Sequence, residues 1–128
     1  MFSHVTLGSN DFAKAEKFYD AVMGVLGHPV MFKAPGSVLA YGTPTGEKLF
    51  ILRPFDQKEA RPGNGVHAAF KVDKRAIVDA FHAAALANGG SDEGAPGPRP
   101  QYHPNYYGAY VRDPDGNKIQ AVCHRSNG

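Results

Sequence analysis

Tryptophan is absent from this 128-residue chain and cysteine occurs once, as Cys123. A single thiol excludes any intramolecular disulfide, so the fold must rest on its apolar core. It also fits a reducing compartment, and the expected location is the cytoplasm. Long hydrophobic runs are missing too. No stretch approaches the roughly 20 apolar residues of a membrane span. The opening Met1-Phe2-Ser3-His4-Val5 lacks the basic and apolar regions of a signal peptide. Excess charge is equally scarce. Fourteen Lys+Arg against 12 Asp+Glu leave a formal net charge of +2, with no basic stripe suited to nucleic acid. What remains is 42% hydrophobic and 20% charged, the balance of a globular protein. The length suits one domain, taken as residues 1–128, which buries enough surface to need no covalent staple.

The hydrophobic pattern is read twice along the chain. Val5 and Leu7 alternate with His4 and Thr6, which predicts a half-buried strand. Ser9-Asn10-Asp11 supplies N-cap residues. Phe12, Ala15, Phe18, Tyr19, Val22 and Leu26 then recur at helical spacing up to Gly27. Short strands are predicted at 28–33, 37–41 and 48–53, separated by Pro35-Gly36 and Thr43-Pro44-Thr45-Gly46. After the linker-like Arg61-Pro62-Gly63-Asn64-Gly65 the pattern restarts. Val66, Ala68, Phe70 and Val72 share one strand face, with His67 on the other. Asp73 is the expected cap of a second helix with Ile77, Val78, Phe81, Ala85 and Leu86 inward, ended by Gly89-Gly90. A Gly/Pro-rich stretch at 94–100 precedes strands at 106–112 and 117–124, joined by Asp113-Pro114-Asp115-Gly116. The halves superpose without a gap at an offset of 63, His4 on His67, Phe18 on Phe81 and Gly27 on Gly90. The expected fold is therefore α+β: two paired β-α-β-β-β modules, about residues 1–60 and 64–125.

Three segments carry a family resemblance over essentially the whole chain. They are His4-Val5-Thr6-Leu7, Gly65-Val66-His67-Ala68-Ala69-Phe70, and Tyr110-Val111-Arg112-Asp113-Pro114-Asp115-Gly116-Asn117-Lys118-Ile119-Gln120. The chain resembles the vicinal oxygen chelate superfamily, which includes glyoxalase I, bleomycin-resistance proteins and extradiol dioxygenases. The resemblance implies a curled mixed sheet around one cleft, a divalent metal at its centre, a small-molecule ligand, and a homodimer. Carried over residue by residue, the implied metal ligands are His4, His67 and Gln120, with Phe50 at the fourth position.

The sequence departs from the family at both acidic positions. Phe50 cannot ligate, and Gln120 offers a neutral carbonyl oxygen where Glu is expected. Loss of anionic ligands weakens the hold on a dication. Two imidazoles and an amide still suit Zn²⁺, Ni²⁺, Co²⁺ or Fe²⁺. Duplicated structural histidines in a metal-free cleft are the other reading of His4 and His67.

Tyr110 precedes Gln120 by ten residues, the spacing of the catalytic tyrosine and glutamate ligand in extradiol dioxygenases. The resemblance thereby makes Tyr110, with His103 in an aromatic loop, the candidate acid/base pair. Packing in the barrel is the competing reading for Tyr110. Arg53 reads as a surface ion-pair residue, and Cys123, of opposite parity to Gln120, as buried and inert. The leading functional expectation is a metal-assisted lyase or isomerase acting on a small oxygenated substrate. An extradiol-type dioxygenase and a metal-free binding protein of the bleomycin-resistance type are the alternatives.

Overall fold

The computed structural model describes residues 1–128. The first module runs β1 (His4–Gly8), α1 (Phe12–Leu26), β2 (Val30–Ala34), β3 (Val38–Gly42) and β4 (Lys48–Leu52). The second runs β5 (Ala68–Val72), α2 (Arg75–Ala87), β6 (Ser91–Pro98), β7 (Tyr107–Arg112) and β8 (Lys118–Cys123). Each module forms its own four-stranded sheet, in the orders β1-β4-β3-β2 and β5-β8-β7-β6. In both, the first strand lies parallel to the last and the remaining pairs are antiparallel. The paired modules are as expected. The strands form two separate sheets and do not close into one barrel.

Local chemistry explains the first helix. The Asp11 side chain accepts the Lys14 N–H and caps the helix start. Gly27 ends it in the left-handed conformation at φ 83°, which a residue with a Cβ adopts only at a cost. The second helix begins differently from expectation. Its N-cap is Lys74, with no side-chain cap, and Asp73 instead pairs with Arg125 at 3.3 Å. Leu86, placed inward by the periodicity, is 43% exposed, because the helix buries only the stripe of Val78, Phe81 and Ala85. The Gly/Pro-rich stretch contributes to a strand, β6, whose pairing with β7 shifts register twice. Glycine and proline interrupt the ladder there without abolishing it.

Strand alternation divides each sheet into a core face and an open face. Val5, Leu7, Leu39, Tyr41, Leu49 and Ile51 turn one face of the first sheet into the core. Ala109, Val111, Ile119, Ala121 and Cys123 do the same for the second. Both faces and both helices join one cluster of 19 buried residues, in which Phe18 and Phe81 are fully enclosed. Cys123 is therefore a core residue, as its parity implied. The opposite faces, which carry the candidate site residues, are both turned away from this shared core.

The turn 113–117 fastens the modules together. The Tyr19 hydroxyl of α1 donates to Asp113, and the Asn10 backbone N–H donates to Asp115 Oδ1 at 2.8 Å. Asn117 Nδ2 donates to the Gly8 carbonyl at 2.9 Å and also to Asp113. Burial pushes the Asp113 carboxyl above the ordinary carboxylate value, despite the opposing hydrogen bonds from Tyr19 and Asn117. Burial and the neighbouring Asp113 likewise hold the Tyr19 phenol well above its usual value.

Candidate functional site

Strand register tests the equivalence of the proposed ligand positions. Thr6 pairs with Phe50 in the first sheet, and Ala69 pairs with Gln120 in the second. Thr6 and Ala69 each lie two residues after their module's histidine, so Phe50 and Gln120 are matched positions. Their offset is 70 rather than 63, so the gapless match of the halves ends before the last strand. The seven additional residues fall between the matched strand pairs, where the loop from Arg99 to Tyr106 carries Tyr102, His103 and Tyr106.

On the open face of the second sheet, Gln120 is cross-strand partner to Tyr110. Gln120 is 1% exposed, so its amide must find partners within the protein. It does so on both sides. Its Oε1 lies 3.0 Å from His67 Nε2, and its Nε2 donates to the Tyr106 hydroxyl. Tyr106 and Tyr110 hydroxyls are 3.3 Å apart. The amide orientation assigns the proton positions. Since Nε2 of Gln120 donates to Tyr106, Oε1 is the acceptor and His67 carries its proton on Nε2. Between the Tyr106 and Tyr110 hydroxyls either can donate to the other. Burial, together with the Tyr106 hydrogen bond, raises the Tyr110 pKa, so this phenol stays protonated.

Gly108 makes this packing possible. A Cβ there would lie 3.2 Å from both Gln120 Nε2 and Tyr106 Cε1. Tyr106, four residues before Tyr110, is a member of the cluster with no sequence motif of its own. Its signal was the same strand parity that singled out Tyr110.

His103 reaches this cluster through rings rather than through Tyr110. Its centroid is 5.4 Å from that of Tyr106, and its Nε2 is 2.9 Å from His124 Nδ1. Its Nδ1 accepts the Asn105 N–H at 3.1 Å, so Nε2 carries the proton given to His124. His4 stands in the other sheet. Its Nδ1 meets Ser3 Oγ at 2.9 Å and its ring meets Phe50 edge-on at 5.2 Å. No hydrogen bond or ring contact joins His4 to His67, Gln120 or Tyr110. Arg53 forms no ion pair, contrary to the surface reading. Its Nε donates to the Gly36 carbonyl at 2.9 Å and its guanidinium lies 5.6 Å from the Phe12 ring centroid.

These contacts bear on whether the residues suit a divalent metal. No three His, Cys, Asp or Glu side chains gather where they could hold one. Phe50 packs against His4 at the first acidic position. At the second, the Gln120 oxygen and the His67 nitrogen already satisfy one another, and neither brings negative charge. A hard or borderline dication draws much of its binding energy from anionic oxygens. The donor set does not fit a resident dication.

Two surface cavities lie on the first module, away from this cluster. One, of about 500 Å³, is lined by Phe2, Ser3, Glu47 and Lys48 among others. The other, of about 450 Å³, includes Thr6, Arg53, Phe55 and Arg61.

The duplicated βαβββ module, with matched histidines and a polar cluster on an open sheet face, defines a glyoxalase-like protein. The Glyoxalase/Bleomycin resistance protein/Dioxygenase superfamily model matches residues 1–121, and the chain belongs to that superfamily. It is similar to the crystal structure of a glyoxalase/bleomycin resistance protein from Albidiferax ferrireducens, with 43% identity and a TM-score of 0.87, covering 96% of this chain and 98% of that one. A glyoxalase-related enzyme from Fulvimarina pelagi shares the fold at 22% identity and a TM-score of 0.76, covering 96% of this chain and 87% of that one. Lactoylglutathione lyase from Agrobacterium tumefaciens shares it at 24% identity and a TM-score of 0.64, covering 95% and 92%. No curated protein matches the chain significantly. No helix is long and apolar enough to cross a membrane.

Proposed function

We propose that this chain is a metal-independent member of the superfamily that binds a small oxygen-bearing molecule on the open face of its second sheet. The observation that carries the reading is the closed hydrogen-bond chain from His67 through Gln120 and Tyr106 to Tyr110. It ties His67 Nε2 and Gln120 Oε1 to one another and brings the Tyr110 hydroxyl onto the open face. A ligand oxygen hydrogen-bonded to that hydroxyl is oriented by a rigid phenol. In this role Tyr110 touches the ligand, His67 and Gln120 hold the phenols in place, and His103 borders the site through Tyr106.

The reading includes a homodimer. Both open faces are turned away from the shared core, so the two faces of one chain do not enclose a ligand. The first sheet's open face presents Phe32, 48% exposed and in ring contact with Phe50. A second copy would cover that face and complete the site. Light scattering at micromolar concentration is expected to give the mass of two chains.

Titration with Ni²⁺, Zn²⁺, Co²⁺ and Fe²⁺ tests the metal-independent reading. No stoichiometric binding is expected at micromolar concentrations, with wild type equal to a His4→Ala/His67→Ala variant. One equivalent of metal, lost in that variant, would overturn the reading in favour of a metal-assisted lyase or isomerase. Metal binding together with catechol-dependent oxygen uptake, abolished by Tyr110→Phe, would instead support a dioxygenase.

A further inference from the structure

The ligand's charge is legible from two cations beside Tyr110. Arg99 follows β6 and Lys118 opens β8, the two strands that flank β7. The Arg99 guanidinium carbon is 5.6 Å and the Lys118 Nζ 5.3 Å from the Tyr110 ring centroid. Neither forms a salt bridge, although neighbouring Arg112 pairs with Glu93. Two half-buried cations therefore face one phenol with no protein anion between them.

Arg99 is held firmly. Its Nη1 donates to the Gly97 carbonyl at 2.8 Å and towards that of Pro98 at 3.4 Å, and its Nη2 donates to the Ala95 carbonyl at 2.8 Å. A guanidinium has five N–H donors. These bonds leave the Nε–H and one Nη2–H without a protein acceptor. A guanidinium with unpaired N–H donors is suited to a carboxylate. The Lys118 ammonium makes no hydrogen bond to the protein, so all three of its protons are free for a second contact. Gly94 permits the approach, since a Cβ there would lie 3.0 Å from Tyr110 Cδ2 and 3.3 Å from Arg99 Nη2.

We infer that Arg99, Lys118 and Tyr110 form a carboxylate-binding site, so that the ligand is a small organic acid. The carboxylate takes the unpaired donors of Arg99 and the Lys118 ammonium, and a further ligand oxygen hydrogen-bonds with the Tyr110 hydroxyl. This inference rests on the preceding assignment of the ligand to the second sheet's open face.

Benzoate and its neutral isostere benzamide are suitable probes, followed by the shifts of the His67 and Tyr110 NMR signals in full-length protein. Benzoate is expected to bind at least tenfold more tightly than benzamide. Lys118→Gln is expected to weaken benzoate at least fivefold and leave benzamide unchanged, with Arg99→Gln giving the same pattern. Lys118→Gln removes no protein hydrogen bond, so its result stands even if Arg99→Gln perturbs the end of β6. Equal affinity for the two probes, or no effect of Lys118→Gln, would refute the carboxylate site while leaving a ligand on this face intact. Failure of both probes to move His67 or Tyr110 signals would overturn this inference and the location of the ligand together.

Discussion

Replacing Tyr19 with Phe isolates one bond between the modules. The Tyr19 side chain is fully buried, and its hydroxyl donates to Asp113, itself 4% exposed. The substitution leaves the ring and its packing in place, so little cavity forms. What is lost is a hydrogen bond to a buried carboxyl, worth about 1.5–3 kcal/mol when the acceptor is charged. Asp113 keeps the Asn117 side chain and the Asp115 and Asn117 backbone N–H groups, so it is weakened rather than orphaned. A loss of about 2 kcal/mol is expected near neutral pH. With a urea m-value of about 1.5 kcal/mol/M, the unfolding midpoint falls by about 1.3 M with the slope unchanged.

The pH dependence sharpens the test. Burial raises the folded pKa of Asp113, so the unfolded chain ionises first. Its contribution to stability is fully present below the ordinary carboxylate value and is lost as pH rises through the raised one. Tyr19→Phe removes a bond that favours the anion, which raises that pKa further. The cost of the substitution is therefore larger near neutral pH than at about pH 4, where a neutral–neutral bond of about 1 kcal/mol is at stake. A loss under about 0.5 kcal/mol, or one that grows on acidification, would refute the account of Asp113 as a buried latch.

Tyr106→Phe removes the acceptor of the Gln120 amide N–H, leaving a buried donor unpaired. A loss of about 1–3 kcal/mol in urea unfolding is expected, together with a shift of the His67 ring signals. Phe18→Ala opens a void in the core shared by both modules and should cost about 3–5 kcal/mol in the same assay. A single unfolding transition should persist in that variant, because α1 and α2 belong to one buried cluster.

Much of the fold is legible because hydrophobic periodicity and caps act locally. Asp11, the α1 stripe and Gly27 specify the first helix without reference to the rest of the chain. The same reading fails at Asp73 and Leu86. The start of α2 is shaped by contacts at the chain end, where Asp73 meets Arg125 and the Arg75 N–H reaches the Gly128 carbonyl. β6 escapes notice because its glycines and prolines are poor strand formers, and only pairing with β7 makes them a strand.

The candidate site divides in the same way. Strand parity alone places Gln120 and Tyr110 on one face and Cys123 on the other, because successive side chains alternate whatever the strand packs against. That parity also holds Tyr106 and Lys118, although nothing local distinguishes them from ordinary surface residues. Only the tertiary structure decides that the Gln120 amide is spent on His67 and Tyr106, that His4 turns to Phe50, and that Arg99 arrives beside Tyr110. Those contacts join residues on different strands or across long loops, and their partners are chosen by sheet register and the packing of the aromatic loop. The sequence by itself determined a duplicated βαβββ chain lacking the two expected anionic ligands. The chemistry available to the residues that remain was settled by which of them the fold brought within hydrogen-bonding distance.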